Sequence, residues 1–290
     1  MIRLSVSNLA WPAEQEDAAF KRLAALGVTG VEVAPTRLAP WPDLTEARLT
    51  DYRHRIEASG LSVSSLQAIL FGRGDVHLLG DAAAFERLCG HLRQVAAIAS
   101  TLGAGVLVFG SPRNRLRGEM AADEAWNLAR RRFAVLGEIC AASGVVLGIE
   151  PVPAFYGGDF LTSWTDVLGL VREVDNPGVR VHLDTGCVHL GGDDIAEAIA
   201  ASEPVLAHFH AAQPDLGDFR PARQSHQGIS GAAGRRIRPM DRDRNARAEW
   251  RSHACDRNRD WDRYFHLRDS GPVRRRSWPL RPAGHVINRA

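Results

Sequence analysis

A closed parallel α/β barrel, the (β/α)8 or TIM architecture, is the fold class that the sequence predicts for its first three-quarters. Short, almost continuously apolar runs recur over residues 1–210, each followed by a longer amphipathic stretch. Runs of that kind mark strands buried on both faces of a parallel sheet. The polar side chains best suited to chemistry stand at or just after the ends of different runs: Asn8, Gln67, Glu150, Asp184 and His210. A closed barrel gathers the C-terminal ends of all its strands on one face, so these groups would converge there. The length of 290 residues suits one such barrel, which takes about 250.

In chain order, the expected strands are residues 3–7, 30–33, 62–66, 105–109, 145–149, 179–183 and 205–209, all rich in Val, Ile and Leu. Helical periodicity fills the gaps. Residues 14–26 repeat apolar positions at Ala18, Phe20, Leu23 and Leu26, and residues 85–102 and 123–143 give longer helices. The helix at 162–174 opens on a Thr162 or Ser163 cap. Gly27, Gly60, Gly103 and Gly144 each fall just before the next strand, where glycine stops a helix. An open doubly wound sheet is the rival architecture. The first strand-to-helix loop, SNLAWP at residues 7–12, lacks the glycine-rich phosphate loop of that fold. Seven βα units are recognisable in this way, and an eighth strand is absent where it should follow.

Hydrophobic content of 45% and charged content of 24% suit a soluble globular chain. No apolar run approaches the roughly 20 residues of a membrane span, and MIRLSVSNLAW lacks a signal-peptide core. Cys89, Cys140, Cys187 and Cys255 show no paired spacing, so reduced thiols in a cytoplasmic protein are expected.

A single Glu at the end of VVLGI could be a core ion pair. Here Glu150, Asp184 in VHLDTG and His210 in AHFH end three consecutive strands. Core packing does not call for that repetition. Two carboxylates and an imidazole suit Mn²⁺, Mg²⁺, Co²⁺ or Zn²⁺, with mixed O/N coordination open to substrate oxygens.

Taken in order, IRLSVSNLAW, GVEVAPTR, LQAILFGR, VLVFGSPRNR, GIEPVPAFYGGDFLT, VHLDTG and HFHAAQPDLGDF resemble the sugar phosphate isomerase/epimerase family of xylose-isomerase-like TIM barrels. The same superfamily holds the family 2 AP endonucleases. The resemblance implies one divalent metal bound by a Glu, an Asp, a His and a second Glu from strands five to eight. It implies that the two Glu residues move a proton beside a metal-polarised carbonyl, isomerising a sugar or epimerising a carbon. Carried over, Glu150, Asp184 and His210 are the first three ligands, and Glu150 is one of the acid/base pair. Asn8, Gln67, Asn114, Tyr156 and His189 are candidate substrate contacts. Asn8, Gln67, Asn114 and Tyr156 are equally suited to a turn or loop, His189 is better suited to packing or the surface, and Trp11 would wall the pocket or pack at the barrel mouth. The expected partner is a small sugar or sugar-like molecule, with no membrane; a homo-oligomer is compatible. Three places depart from the family pattern. Cys187 stands where many relatives carry a substrate-contacting His, Val152 where they often carry Asn, and Leu216 where some epimerases carry Arg.

Residues 1–227 form the expected barrel domain, and residues 228–290 read as an aberrant Arg-rich tail. The tail holds 16 Arg against 7 acidic residues, a net of +9; with +2 overall, residues 1–227 carry −7. The tail has no 3.6- or 2.0-residue period, so no packed fold is expected of it. Back-translated from Gly228 with permitted codons and read one nucleotide later, it can give AFLALRAAGYDRWIAIEMR. The Trp is forced by the Met240–Asp241 codons, and a Glu spans those of Arg244 and Asn245. That peptide supplies the missing helix, strand and terminal Glu, which points to a single-nucleotide frameshift near residues 220–228. A basic nucleic-acid arm is the alternative reading of the tail.

Three functions are set against one another. The first is a metal-dependent sugar or sugar phosphate isomerase or epimerase, with dehydration of a polyol ketone open to the same chemistry. The second is an AP endonuclease-like metal hydrolase, disfavoured because strands two and three end at Ala34–Pro35 and Gln67 without the extra His ligands. The acidic body also disfavours a nucleic-acid partner. The third is a catalytically impaired barrel lacking its fourth ligand.

Overall fold

The computed structural model describes residues 3–214. The tail, the expected eighth strand with its Glu, Cys255 and Leu216 lie outside the described residues.

The described chain alternates strand and helix. It runs β1 (Ser5–Ser7), α1 (Glu16–Ala25), β2 (Gly30–Val33), α2 (Glu46–Ala58), β3 (Ser62–Leu66), α3 (Ala82–Leu102) and β4 (Val106–Phe109). It continues with α4 (Ala122–Ala142), β5 (Val146–Ile149), α5 (Trp164–Val174), β6 (Val179–Asp184), α6 (Thr185–Leu190), α7 (Ile195–Ser202) and β7 (Leu206–His210). Each apolar run of the sequence contains a strand. All neighbouring strands pair in parallel, in the order β1 to β7. Side chains of β2 and β3 reach β7 directly: His208 Nε2 lies 3.1 Å from Ser65 Oγ and 3.2 Å from Glu32 Oε1. Strands four and five places apart in sequence order can meet that way only if the sheet is curled, which makes it most of a barrel.

Successive side chains of a strand point to opposite faces. In β4 to β6, Leu107, Phe109, Leu147, Ile149, Val179, Val181 and Leu183 pack into the apolar core beneath the helices. Phe109 meets Phe133 of α4 edge-on, with ring centroids 5.6 Å apart. The alternate residues face the barrel interior, and there the character changes to Glu32, Ser65, His182, Asp184, His208 and His210, all mutually close.

Local signals set the element ends. Ser163 and Asp166 form a reciprocal capping box at the start of α5. Gly103 ends α3 at φ +79°, a left-handed conformation that strains any residue with a Cβ. Between β6 and β7 lie two short helices that no 3.6-residue period announces over so few turns. The first, α6, starts directly at the strand end, with Asp184 Oδ1 accepting from the Cys187 backbone N–H at 2.8 Å. No helix among the described residues is long and apolar enough to cross a membrane.

Candidate metal centre

Glu150 follows β5, and Asp184 and His210 are the last residues of β6 and β7. All three are buried. The parallel register sets Asp184 beside His210, and His210 Nδ1 lies 4.0 Å from Asp184 Oδ2. Glu150 joins them from the neighbouring strand. Its carboxylate lies within 4.8 Å of donor atoms of His182 and His210, and likewise of Asp184 and Cys187. Gly110, after β4, makes the room: a Cβ there would sit 1.8 Å from Glu150 Oε2. Behind the site, the fully buried Arg115 donates to the Phe109 and Glu150 carbonyls at 3.3 and 2.5 Å.

The electrostatics set two buried carboxylates against each other. Burial, and then the adjacent Asp184 carboxylate, push the Glu150 carboxyl well above the usual carboxylate range. A divalent ion between the two would relieve that repulsion, and two carboxylates with an imidazole are a suitable donor set. The residues present therefore fit a divalent metal.

The interior beneath these groups holds a second set that the strand-end reading missed. Glu32 Oε1 accepts from Ser65 Oγ at 2.8 Å and lies 2.8 Å from His210 Nε2. Burial alone would raise the Glu32 carboxyl, but the facing His210 and His208 imidazoles outweigh it and hold it well below its ordinary value. The same pairing raises His210 against its own burial. Glu32 thus engages Nε2 of His210, which leaves Nδ1 facing Asp184. His182 Nε2 lies 3.0 Å from that Nδ1, and burial holds the His182 imidazole far below its normal pKa. The signal for these residues was period two. Glu32 is the charged residue of GVEV, and His182 and His208 stand two before Asp184 and His210, so they share their face.

The candidate substrate residues are placed differently. Asn8 is buried, and its Oδ1 accepts from the Ala34 N–H at 2.8 Å. Gln67 is buried and donates to Ser7 Oγ. Asn114 donates to the Arg73 and Val76 carbonyls at 2.7 and 2.8 Å and accepts from Ser111 Oγ at 2.6 Å. It ties two loops together. Tyr156 is half-buried in a 3-10 turn (Ala154–Tyr156), its ring edge-on to Phe155. His189 is exposed on α6. Trp11 is buried, with Phe20 against it edge-on at 6.0 Å.

A family profile described as the xylose isomerase-like TIM barrel matches residues 20–267. The chain belongs to that family. Among solved structures, this xylose isomerase-like barrel is similar to a D-psicose 3-epimerase from Clostridium cellulolyticum H10, solved with D-tagatose. That match has TM-score 0.68 and 14% identity, and covers 80% of this chain and 81% of the other. It is similar to 3-keto-D-glucoside 4-epimerase from E. coli, at TM-score 0.66 and 18% identity, covering 88% and 98%. It is also similar to the probable 3-DHS dehydratase of Bacillus anthracis, at TM-score 0.58 and 16% identity, covering 73% of each chain. At such identities the likeness is one of fold. No curated protein matches the chain.

Proposed function

We propose that this barrel is a divalent-metal-dependent isomerase or epimerase acting on a small sugar or sugar phosphate, with Glu150 as an acid/base residue. One observation supports the reading: Glu150 is buried against the Asp184 carboxylate, its donor atoms lie within 4.8 Å of those of His210 in one group and of Asp184 in another, and Asp184 lies 4.0 Å from His210. Glu150, Asp184 and His210 would hold the ion. When bound, the metal supplies a Lewis acid that polarises a substrate carbonyl and acidifies the adjacent C–H. Glu150 takes that proton and returns it to a carbon or oxygen of the substrate. Arg115, donating to the Glu150 carbonyl, fixes the backbone from which the carboxylate projects. The 3-epimerase and 4-epimerase folds above support this choice of chemistry. Loss of hydroxide after the same proton abstraction would make the enzyme a dehydratase, and the product tells the two apart.

In this proposal a second Glu, encoded one frame away near Arg244, completes the ligand set and the acid/base pair. Resequencing of the gene across residues 220–228 tests the frameshift; an intact reading frame through residue 290 removes it. A Mn²⁺-supplemented screen against ketoses, inososes and hydroxypyruvate, run on the chain as written and on the frame-restored chain, tests the activity. The Glu150→Gln variant is expected to lose at least about a hundredfold in kcat, the scale of a lost general base. Turnover that survives Glu150→Gln unchanged excludes the proposed proton transfer.

A further inference from the structure

We infer that the thiolate of Cys187 is itself a ligand of the metal at this site, which makes the site one for a thiophilic borderline ion such as Zn²⁺ or Co²⁺ in preference to Mg²⁺. The inference rests on the metal-dependent reading above and deepens it.

Cys187 is the third residue of α6 and is 6% exposed. Its backbone N–H donates to Asp184 Oδ1 at 2.8 Å, so the first turn of the helix is pinned to a metal-ligating carboxylate. Its Sγ stands 3.9 Å from Glu150 Oε1, and donor atoms of Glu150, Asp184 and Cys187 all lie within 4.8 Å of one another. A tetrahedral zinc with sulfur at about 2.3 Å and oxygen at about 2.0–2.2 Å separates those two donors by roughly 3.6 Å. The observed spacing needs an adjustment of only a few tenths of an ångström.

The other two described cysteines have no such setting. Cys89 and Cys140 lie on α3 and α4, on the outer face of the sheet, and burial pushes the Cys140 thiol up to about 12. Cys187 alone of the three is aimed at a carboxylate pair in the barrel interior. Beside Glu150, Asp184 and His210 the thiolate would add a sulfur donor, and it does not replace the second Glu of the reading above. On binding, the S–H bond breaks, its proton goes to solvent, and the sulfur lone pair forms the metal bond; no electrons are transferred. A thiolate favours Zn²⁺ and Co²⁺, whereas Mg²⁺ takes hard oxygen ligands in a near-ideal octahedron.

The test is the electronic spectrum of the full-length metal-free protein titrated with Co²⁺, for the native chain and for Cys187→Ser and Cys187→Ala. Ligation by sulfur adds a thiolate-to-cobalt charge-transfer band in the near ultraviolet to the visible d–d bands. The expected result is both sets of bands in the native protein, with only the near-ultraviolet band lost in the two variants. Competition titrations should then show Zn²⁺ affinity at least about tenfold weaker in Cys187→Ser, with Mg²⁺ affinity unchanged. Visible bands without the charge-transfer band overturn the sulfur ligand and leave the metal site standing. A charge-transfer band that persists in Cys187→Ser assigns the sulfur elsewhere and overturns it too. Absence of all cobalt bands removes the metal site and this ligand together.

Discussion

The two sides of the barrel use the same kind of position for different purposes. On the β1–β4 side, the candidate polar residues at and beyond the strand ends are amides, and the hydrogen bonds they make go into the scaffold. Asn8 holds the Ala34 N–H, Asn114 holds the carbonyls of Arg73 and Val76, and Gln67 holds Ser7. On the β5–β7 side they are carboxylates and imidazoles that face one another across a small gap. What separates the sides is the chemistry of the groups: the amides each spend part of their hydrogen bonding on the scaffold, while Asn8 Nδ2 and Gln67 Oε1 are buried with no hydrogen-bond partner among the described residues. Glu32 crosses the divide: it belongs to β2, yet its carboxylate serves His208 and His210 of β7.

The largest break in this contrast is expected at Glu32. Glu32→Ala leaves the buried His210 imidazole and the half-buried His208 imidazole without their anion, and removal of one partner from a buried pair costs about 3–5 kcal/mol. It also frees the His210 ring, and loss of such an outer support typically weakens metal binding about 10–100-fold. Glu32→Gln keeps an acceptor oxygen and should recover much of the stability while recovering less of the affinity. Chemical denaturation and Zn²⁺ competition titrations separate the two quantities. If both variants bind Zn²⁺ as tightly as the native chain, Glu32 supports the fold and not the metal.

Next comes a pH effect on the β5–β7 side. The Glu150 carboxyl titrates well above its unfolded value because burial and Asp184 oppose its charge. The unfolded chain therefore gives up this proton first as pH rises, so Glu150's contribution to the stability of the metal-free protein should fall between about pH 5 and about pH 8, against the opposite slope from His77, His91 and His182, whose imidazoles burial holds low. Glu150→Gln should remove that fall, and added Zn²⁺ should oppose it. Thermal melts across the range check the sign. A pH slope identical in the native chain and in Glu150→Gln would show that Glu150 is ionised without penalty.

Much of this architecture could be read from the sequence, and the reasons for the gaps are physical. The apolar runs located the strands because a sheet covered by helices on one face and closed on the other leaves few positions for charge. The three strand-end candidates stood out in the sequence because Glu150, Asp184 and His210 repeat one placement. Glu32, His182 and His208 were not singled out, although period two puts them on the same face. Their partners lie across the barrel, and the curl that brings β2 to β7 is a property of the whole sheet. Arg115 was hidden for a related reason: in SPRNR it looks like an exposed loop arginine, and only the path of the loop buries it behind Glu150. Asn114, the fifth residue after β4, read equally well as a substrate contact or a turn.

The smallest of these effects tests the scaffold side at Asn114. Its amide donates to two carbonyls from the loop after β3, and its oxygen accepts from Ser111, so one side chain closes a loop-to-loop contact. Asn114→Ala strands the buried Val76 carbonyl and Asn114's other partners, a cost of about 1–3 kcal/mol in stability. No donor atom of the metal cluster touches it, so Zn²⁺ affinity should not move. The informative quantity is the ratio of the two responses: Glu32→Ala should change both stability and affinity, whereas Asn114→Ala should change stability alone. If Asn114→Ala instead raised KM with stability intact, its amide would be reaching substrate, and the β1–β4 side would have to be counted as part of the site.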